Sequence, residues 1–589
     1  MDDKNVKAPQ TQDDDIVVDK GGFSWSDLWK FEDYWAIWLG AILIVIGLFI
    51  YMPNPPKDMD AKIAKANAVM QAESERAPFK TIEWHKANSD KNKLRASDEP
   101  LAKTVSGYLT RPHGWDTNPL VSFVQSEEEA KAKSEKNKAK FEEAKIKTEE
   151  ALAKATEAQA AAEAAGFKDA ELNKKADEAI DKWRVAVDKE SKAKTAANAK
   201  PYNLFTSLLV LGVALALFFS IGVRFMGQSV GRFLLGFGPV FILAVLAYFM
   251  SNQATVKAYG IEYVAWALIF GLLISNTIGT PKWIMPAVQT EYYIKTGLVL
   301  LGASILIGKI LLIGLPGIFV TWVVTPIVLI TTFIFGQKIL KINSKTLNIT
   351  VSADMSVCGV SAAIATAAAC RAKKEELTLA VGMSIIFTAI MMIVMPMFIK
   401  FIGMHEVLGG AWIGGTIDSS GAVVAAGAFI GETAMYVAAT IKMIQNVMIG
   451  AIAFGVAYYW ATQVDNKTGQ RVGLMEIWYR FPKFVLGFLG ASIIFSLMYQ
   501  SMGNDVAKVM IDEGIVRSWT TALQGWLFAL AFVSIGLATN FRELAKYLKG
   551  GKPVVLYVVG QSFNLFLTLT VAYIMFFLVF PEVTAKLMQ

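Results

Sequence analysis

The sequence predicts an all-α polytopic membrane protein, with about 13 membrane segments and an extramembrane α-helical hairpin domain. Three observations predict this class. Charge is segregated: residues 53–200 are nearly all polar, and 201–589 are nearly all apolar. The apolar part comes in blocks of about 18–25 residues, the length that crosses ~30 Å of hydrocarbon as a helix. Lys and Arg gather in the short loops between those blocks, as topology rather than nucleic-acid binding demands. In lipid every backbone N–H and C=O must be satisfied internally, so the blocks are helices.

The chain begins with a polar tail, 1–33, that carries the run Asp13 to Asp15. A membrane anchor follows at 34–52 and is stopped by Pro53-Asn54-Pro55-Pro56. The tail is too long for a cleavable leader and lacks a small-residue cleavage site, so the anchor reads as retained. Residues 53–200 form the soluble part. Ser126 and Glu129 have the spacing of a capping box, and the Ala/Glu/Lys-rich run after them ends at Gly166. A second helix over 169–197 places Ile180, Trp183 and Val187 on one face, which predicts an antiparallel pair with a thin, Ala-rich seam. A solvated spacer or oligomerisation arm is its plainer reading, and a module for a protein partner the sharper one.

From 201 to 589, spans are predicted near 204–223, 233–250, 261–278, 291–308, 313–335, 346–370, 376–402, 409–430, 433–461, 481–500, 519–537 and 553–580. With a cytoplasmic N-terminus, the loops at 224–232, 280–296, 336–345, 463–483 and 540–552 hold fifteen Lys or Arg. The opposite loops, 251–260, Lys309, 501–518 and the C-terminal tail, hold five. That bias puts the 57–200 domain outside. Arg371, Lys373 and Lys374 break the pattern if 346–370 crosses fully. They obey it if 346–370 and 409–430 are re-entrant.

Those two segments carry the chemistry. The first holds Asp354, Ser356, Cys358, Gly359 and Ser361, and the second Thr416, Asp418, Ser419 and Ser420. A carboxylate at the centre of a membrane helix costs about 2.5–3.5 kcal/mol on insertion scales, so each Asp needs a partner or a task. The glycines allow the helices to break at that depth, freeing N–H groups for anions and C=O groups for cations. Simple close packing of small residues explains the glycines but not the acids. Lys442 lies deep in the span 433–461, with Asn446 four residues on along the same face and Gln445 beside it. Glu291 and Lys295 read as a solvated i,i+4 pair, and Gln561, Ser562 and Asn564 as interhelical hydrogen-bonders. Cys358 and Cys370 are the sole cysteines, and His85, His113 and His405 are isolated. No disulfide framework, metal-ligand spacing or cofactor motif follows from them, although Na⁺ could sit at Asp354 and Asp418.

GLVLLGASI (297–305), SVCGVSAAIA (356–365) with RAKKEE, TIDSSGAVVAAG (416–427) and ATIKMIQ (439–445) together resemble the YeiH-type sulfate exporter family of bacterial inner-membrane proteins. The resemblance covers roughly 204–589. It implies a fold like those of cation/proton antiporters and bile-acid symporters, with inverted repeats and two broken helices crossing at mid-membrane, and often a homodimer. The chain departs from the family where Asp418-Ser419-Ser420-Gly421-Ala422 replaces its His-Asp-Thr-Ala-Gln, and where Gln445 replaces an arginine. The reading that follows is a secondary transporter of a small anion such as sulfate or an organosulfonate, coupled to H⁺ or Na⁺, and not an enzyme. A cation/proton antiporter and a membrane-anchored sensor or scaffold are its rivals. An intramembrane aspartyl protease lacks support, because Gly-x-Gly-Asp precedes neither acid.

Overall fold

The computed structural model describes residues 24–258, 263–305, 307–464, 478, 482–542 and 551–588. Most of the tail and of the loops 463–483 and 540–552, with the Lys309 side chain, lie outside the described residues. Nine helices among the described residues are long and apolar enough to cross a membrane. They are Glu32–Tyr51, Phe205–Phe225, Val230–Ser251, Ile310–Lys338, Lys374–Phe401, Glu432–Val464, Phe484–Met502, Asn504–Ala538 and Lys552–Val579. Two 15-residue helices, Tyr263–Thr277 and Thr290–Ser304, pack among them. The protein is an all-α, multi-pass membrane protein.

The N-terminal helix Glu32–Tyr51 is more than an anchor. Trp35, Leu39 and Leu43 are buried in the same apolar core as Leu298 and Trp526. Its glycines permit this closeness: a Cβ on Gly40 would stand 2.5 Å from Val299, and one on Gly47 would stand 2.6 Å from Trp519. The predicted solvated Glu291–Lys295 pair is also corrected. The Lys295 ammonium lies 2.8 Å from Glu32, 2.8 Å from Asp33 and 3.7 Å from Glu291, and its side chain is 16% exposed. The spacing of Glu291 and Lys295 reveals a local partner only; Glu32 and Asp33 come from a helix packed alongside.

Outside the membrane the foreseen pair forms over Glu127–Ala164 and Ala170–Ala197. Ser126 and Glu129 exchange the two capping-box bonds, and Gly166 adopts φ +62° at the turn. Ile82, Ala155, Ile180 and Trp183 make the thin core. A two-residue antiparallel pairing, Val124 with Asn203 and Gln125 with Tyr202, ties the two ends of the arm together.

Three further helices, Met59–Arg76, Ile82–Asn92 and Pro100–Tyr108, have no counterpart in the predicted hairpin. They dock this region onto the membrane body. Met59, Ile63, Ala96 and Ala102 join the main core. Lys91 and Asn67 hold Asp505 at 2.8 and 2.7 Å, and Arg95 reaches Glu513 at 3.4 Å. The docked surface is the start of the helix Asn504–Ala538, which extends fifteen residues upstream of the predicted 519 and is π-helical over Lys508–Thr520.

His85, on Ile82–Asn92, titrates at about 4 because burial and the nearby Arg184 and Lys80 disfavour its charged form. The unfolded chain takes up that proton near pH 6.5. The extramembrane helices should therefore lose stability as pH falls from about 6.5 to about 4, and show no His85-dependent change above 7. Amide exchange on wild type and His85→Gln checks this: the substitution should flatten that part of the slope.

Candidate functional site

The two unusual segments both fold as helical hairpins. The first consists of Lys345–Asp354, a turn over Met355–Gly359 and Val360–Cys370. Its two ends lie together. Thr350 Oγ1 is 3.8 Å from Cys370 Sγ, and the Ser344 and Thr346 hydroxyls donate to Glu376 at 2.5 and 2.8 Å. The second consists of Glu406–Thr416, a turn over Ile417–Ser419 and Ser420–Ile430. There a Cβ on Gly431 would stand 2.7 Å from the Glu406 carboxylate, so this segment also ends beside its start. Each arm has 10 or 11 residues. At 1.5 Å per residue an arm is about 16 Å long, half a bilayer core.

The helix Lys374–Phe401 leads from the base of the first hairpin to the base of the second, so the hairpins enter from opposite ends of the molecule. Their tips meet beside it. A Cβ on Gly359 would stand 2.6 Å from Ser384 Oγ and 3.1 Å from the Asp418 carbonyl oxygen. The first hairpin puts Arg371, Lys373 and Lys374 at the same end of the molecule as the loop 336–345.

Two helices tie the tips together from behind. Glu432–Asn446 lies along both arms of the second hairpin, because Gly410 and Gly414 let it approach: added Cβ atoms would stand 2.6 and 2.7 Å from the Ala434 and Ala438 carbonyls. The Lys442 ammonium donates to the Val357 carbonyl at 2.5 Å and to Gln445 Oε1 at 2.7 Å. Gln445 Nε2 donates to the Ser356 and Gly415 carbonyls, both at 3.2 Å, and so bonds to each hairpin. Asn446 Nδ2 donates to Ser420 Oγ at 3.0 Å. From the last long helix, Gln561 donates to the Thr416 carbonyl at 2.9 Å and Asn564 to the Met355 carbonyl at 3.3 Å. Tyr557 OH, two helical turns before Asn564, donates to Asp418 Oδ2.

The two acids stand in different surroundings. Asp354 is fully buried, and neither carboxylate oxygen has a hydrogen-bond partner of ordinary geometry among the described residues. Its polar neighbours are Ser384 and Asp418. Asp418 is 2% exposed and lines a cavity of about 770 Å³. The cavity runs from the tips to a mouth beside Glu32, Asp33, Glu291 and Lys295.

Of the residues predicted from sequence, Cys358, Gly359, Ser361, Asp418, Ser419, Ser420 and Asn446 line this cavity. Lys442 and Gln445 lie behind the tips. Ser356 and Thr416 turn their hydroxyls back onto the Ser352 and Trp412 carbonyls of their own helices. Sequence reasoning missed Ser384 and Tyr557. Tyr557, Gln561 and Asn564 recur at i, i+4 and i+7, a polar stripe that could have marked this helix. Among the described residues no group of three His, Cys, Asp or Glu side chains could hold a metal ion.

The family model described as conserved hypothetical protein 698 matches residues 235–557. A UPF0324 membrane protein of Nitratidesulfovibrio vulgaris is 60% identical over 572 residues, covering 97% of this chain and 99% of that protein. One of Rhodopirellula baltica is 46% identical over 582 residues, covering 95% and 92%. The inner membrane protein YeiH of Escherichia coli is 22% identical over 340 residues, covering 56% of this chain and 91% of its own. The first two relatives match nearly the whole chain, whereas the family model falls within the expected 204–589 and YeiH matches about half of the chain. No solved structure matches.

Proposed function

The chain belongs to the UPF0324 membrane protein family, and from that premise we propose that it is a secondary transporter whose substrate site lies between the two hairpin tips. One observation carries the reading: two half-length hairpins enter from opposite ends of the molecule and meet at two buried acids, one of which, Asp418, lines a cavity. Irregular backbone at that depth persists where it lines a cavity or packs in protein, and broken segments in the two halves of a transporter flank its binding site. The opposed entry supports an inverted repeat, in which rocking one half against the other exposes the tips to each side in turn.

The substrate in this reading is a small anion received by the opened backbone of the tips, and Asp354 and Asp418 take up the coupling H⁺ or Na⁺. Lys442 supports the acids from behind rather than meeting solvent. We place Glu32 at the cytoplasmic side, the arm Glu127–Ala197 outside, and the cavity open inward. Nothing in this reading requires a bond-breaking step.

Flux in proteoliposomes tests it, with wild type beside Asp354→Asn and Asp418→Asn under imposed proton and sodium gradients. Gradient-driven uptake of small anions should be present in wild type and lost in both variants. Cation exchange without anion flux would point to an antiporter. Wild-type flux that survives both substitutions would sink the proposed site.

A further inference from the structure

We infer that the ligand of this site is a small zwitterion, an acid head of carboxylate or sulfonate type carrying a protonated amine two or three bonds away. The inference rests on the transport reading above and changes its substrate: the acid head is kept, and a protonated amine is added to it. Its ground is that the cavity floor presents donors and acceptors in separate groups.

The donors are two helix N-termini. Val360–Cys370 and Ser420–Ile430 both begin at the cavity, and neither Gly359 nor Ser419 caps its helix through a side chain. The first backbone N–H groups of each helix therefore lack an acceptor, and each helix adds a partial positive charge at this end. Two such ends converging on one space are suited to a small oxyanion.

The acceptors are side chains of the same wall. Asp418 is 2% exposed, and among the described residues only its Oδ2 is engaged, by Tyr557. Asn446 is 1% exposed, and its Oδ1 has no partner while Nδ2 is held by Ser420. A spherical anion such as sulfate satisfies the amides and leaves both acceptors empty. An amine beside the acid head satisfies them, and a cation there offsets the carboxylate of Asp418. The mouth agrees with a ligand of no net charge. Among the described residues Asp27, Glu32, Asp33 and Glu291 stand there with Lys295 and Lys483, four acids to two bases, a balance that does not favour a free anion.

Binding to the purified full chain tests this with five probes: β-alanine and taurine, their amine-free counterparts propionate and ethanesulfonate, and sulfate. β-Alanine and taurine should bind at least about tenfold more tightly than their counterparts, the factor expected when one charge-assisted hydrogen bond is lost. Asp418→Asn should bring that ratio close to one without abolishing residual binding of the acid heads. The wild-type ratio decides the matter alone should the variant fail to fold. Equal affinity with and without the amine overturns the zwitterion, as does tighter binding of sulfate or binding of none of the five. Anion flux in the previous assay together with equal affinities would reject the amine and keep the transporter. Absence of all gradient-driven flux would reject the transporter itself.

Discussion

Lys442→Met should destabilise the protein by about 3–5 kcal/mol, the cost typical of removing one member of a buried charged network. The side chain is 1% exposed, and its ammonium satisfies the Val357 carbonyl and Gln445 Oε1 while its charge acts on Asp418. Methionine fills nearly the same space but leaves those two acceptors without a donor and the acid without its cation. Gln445 would then lose the orientation that lets it reach both hairpins. Thermal unfolding in detergent should show the loss, and flux should fall to background. A Lys442→Met protein as stable and active as wild type would refute the bridging role. Lys442→Arg should restore little, because a longer planar fork cannot occupy the place of a compact ammonium.

Gly359→Ala should have the second large effect, through geometry rather than charge. Gly359 holds φ +55° and ψ −123°, a region that residues with a Cβ rarely adopt, and such strain costs on the order of 1–3 kcal/mol. The added carbon would also stand 2.6 Å from Ser384 Oγ and 3.1 Å from the Asp418 carbonyl. Ser384 can rotate away, whereas the Asp418 backbone cannot move without its hairpin. The tips should separate, and flux should be lost with only part of the stability. Gly490→Ala supplies the control, since its Cβ would meet nothing within 4 Å in the helix Phe484–Met502, which holds no proline. If both variants transport equally well, close apposition of the tips is not needed for function.

The placement of Asp354, Asp418 and Lys442 was legible in the sequence because charge inside apolar runs is costly and therefore informative. The hairpins were half legible. Arg371, Lys373 and Lys374 showed that full crossing of 346–370 conflicts with the loop charges, but only the approach of Thr350 to Cys370 and of Gly431 to Glu406 distinguishes the two paths. Ser384 carried no comparable signal, since serine occurs in any membrane helix, and Tyr557 stood out only through its i, i+4, i+7 spacing to Gln561 and Asn564. The three docking helices and the Glu32–Asp33–Lys295 cluster depend on partners hundreds of residues apart. Local periodicity does not report such pairings.

The half-length arms also bear on how the chain enters the membrane during synthesis. A helix of 10 or 11 residues cannot span the bilayer, so the first hairpin has no stable transmembrane state when it leaves the ribosome. Its tip carries Asp354 and open backbone that lipid cannot satisfy, and Lys442, Gln445 and Asn446 emerge more than eighty residues later. At about 5–20 residues per second, that interval is roughly 4–17 s. For that time residues 345–370 must wait at the interface or beside the insertion machinery. Their final burial is therefore a late, post-insertion event that depends on the arrival of the helix Glu432–Asn446.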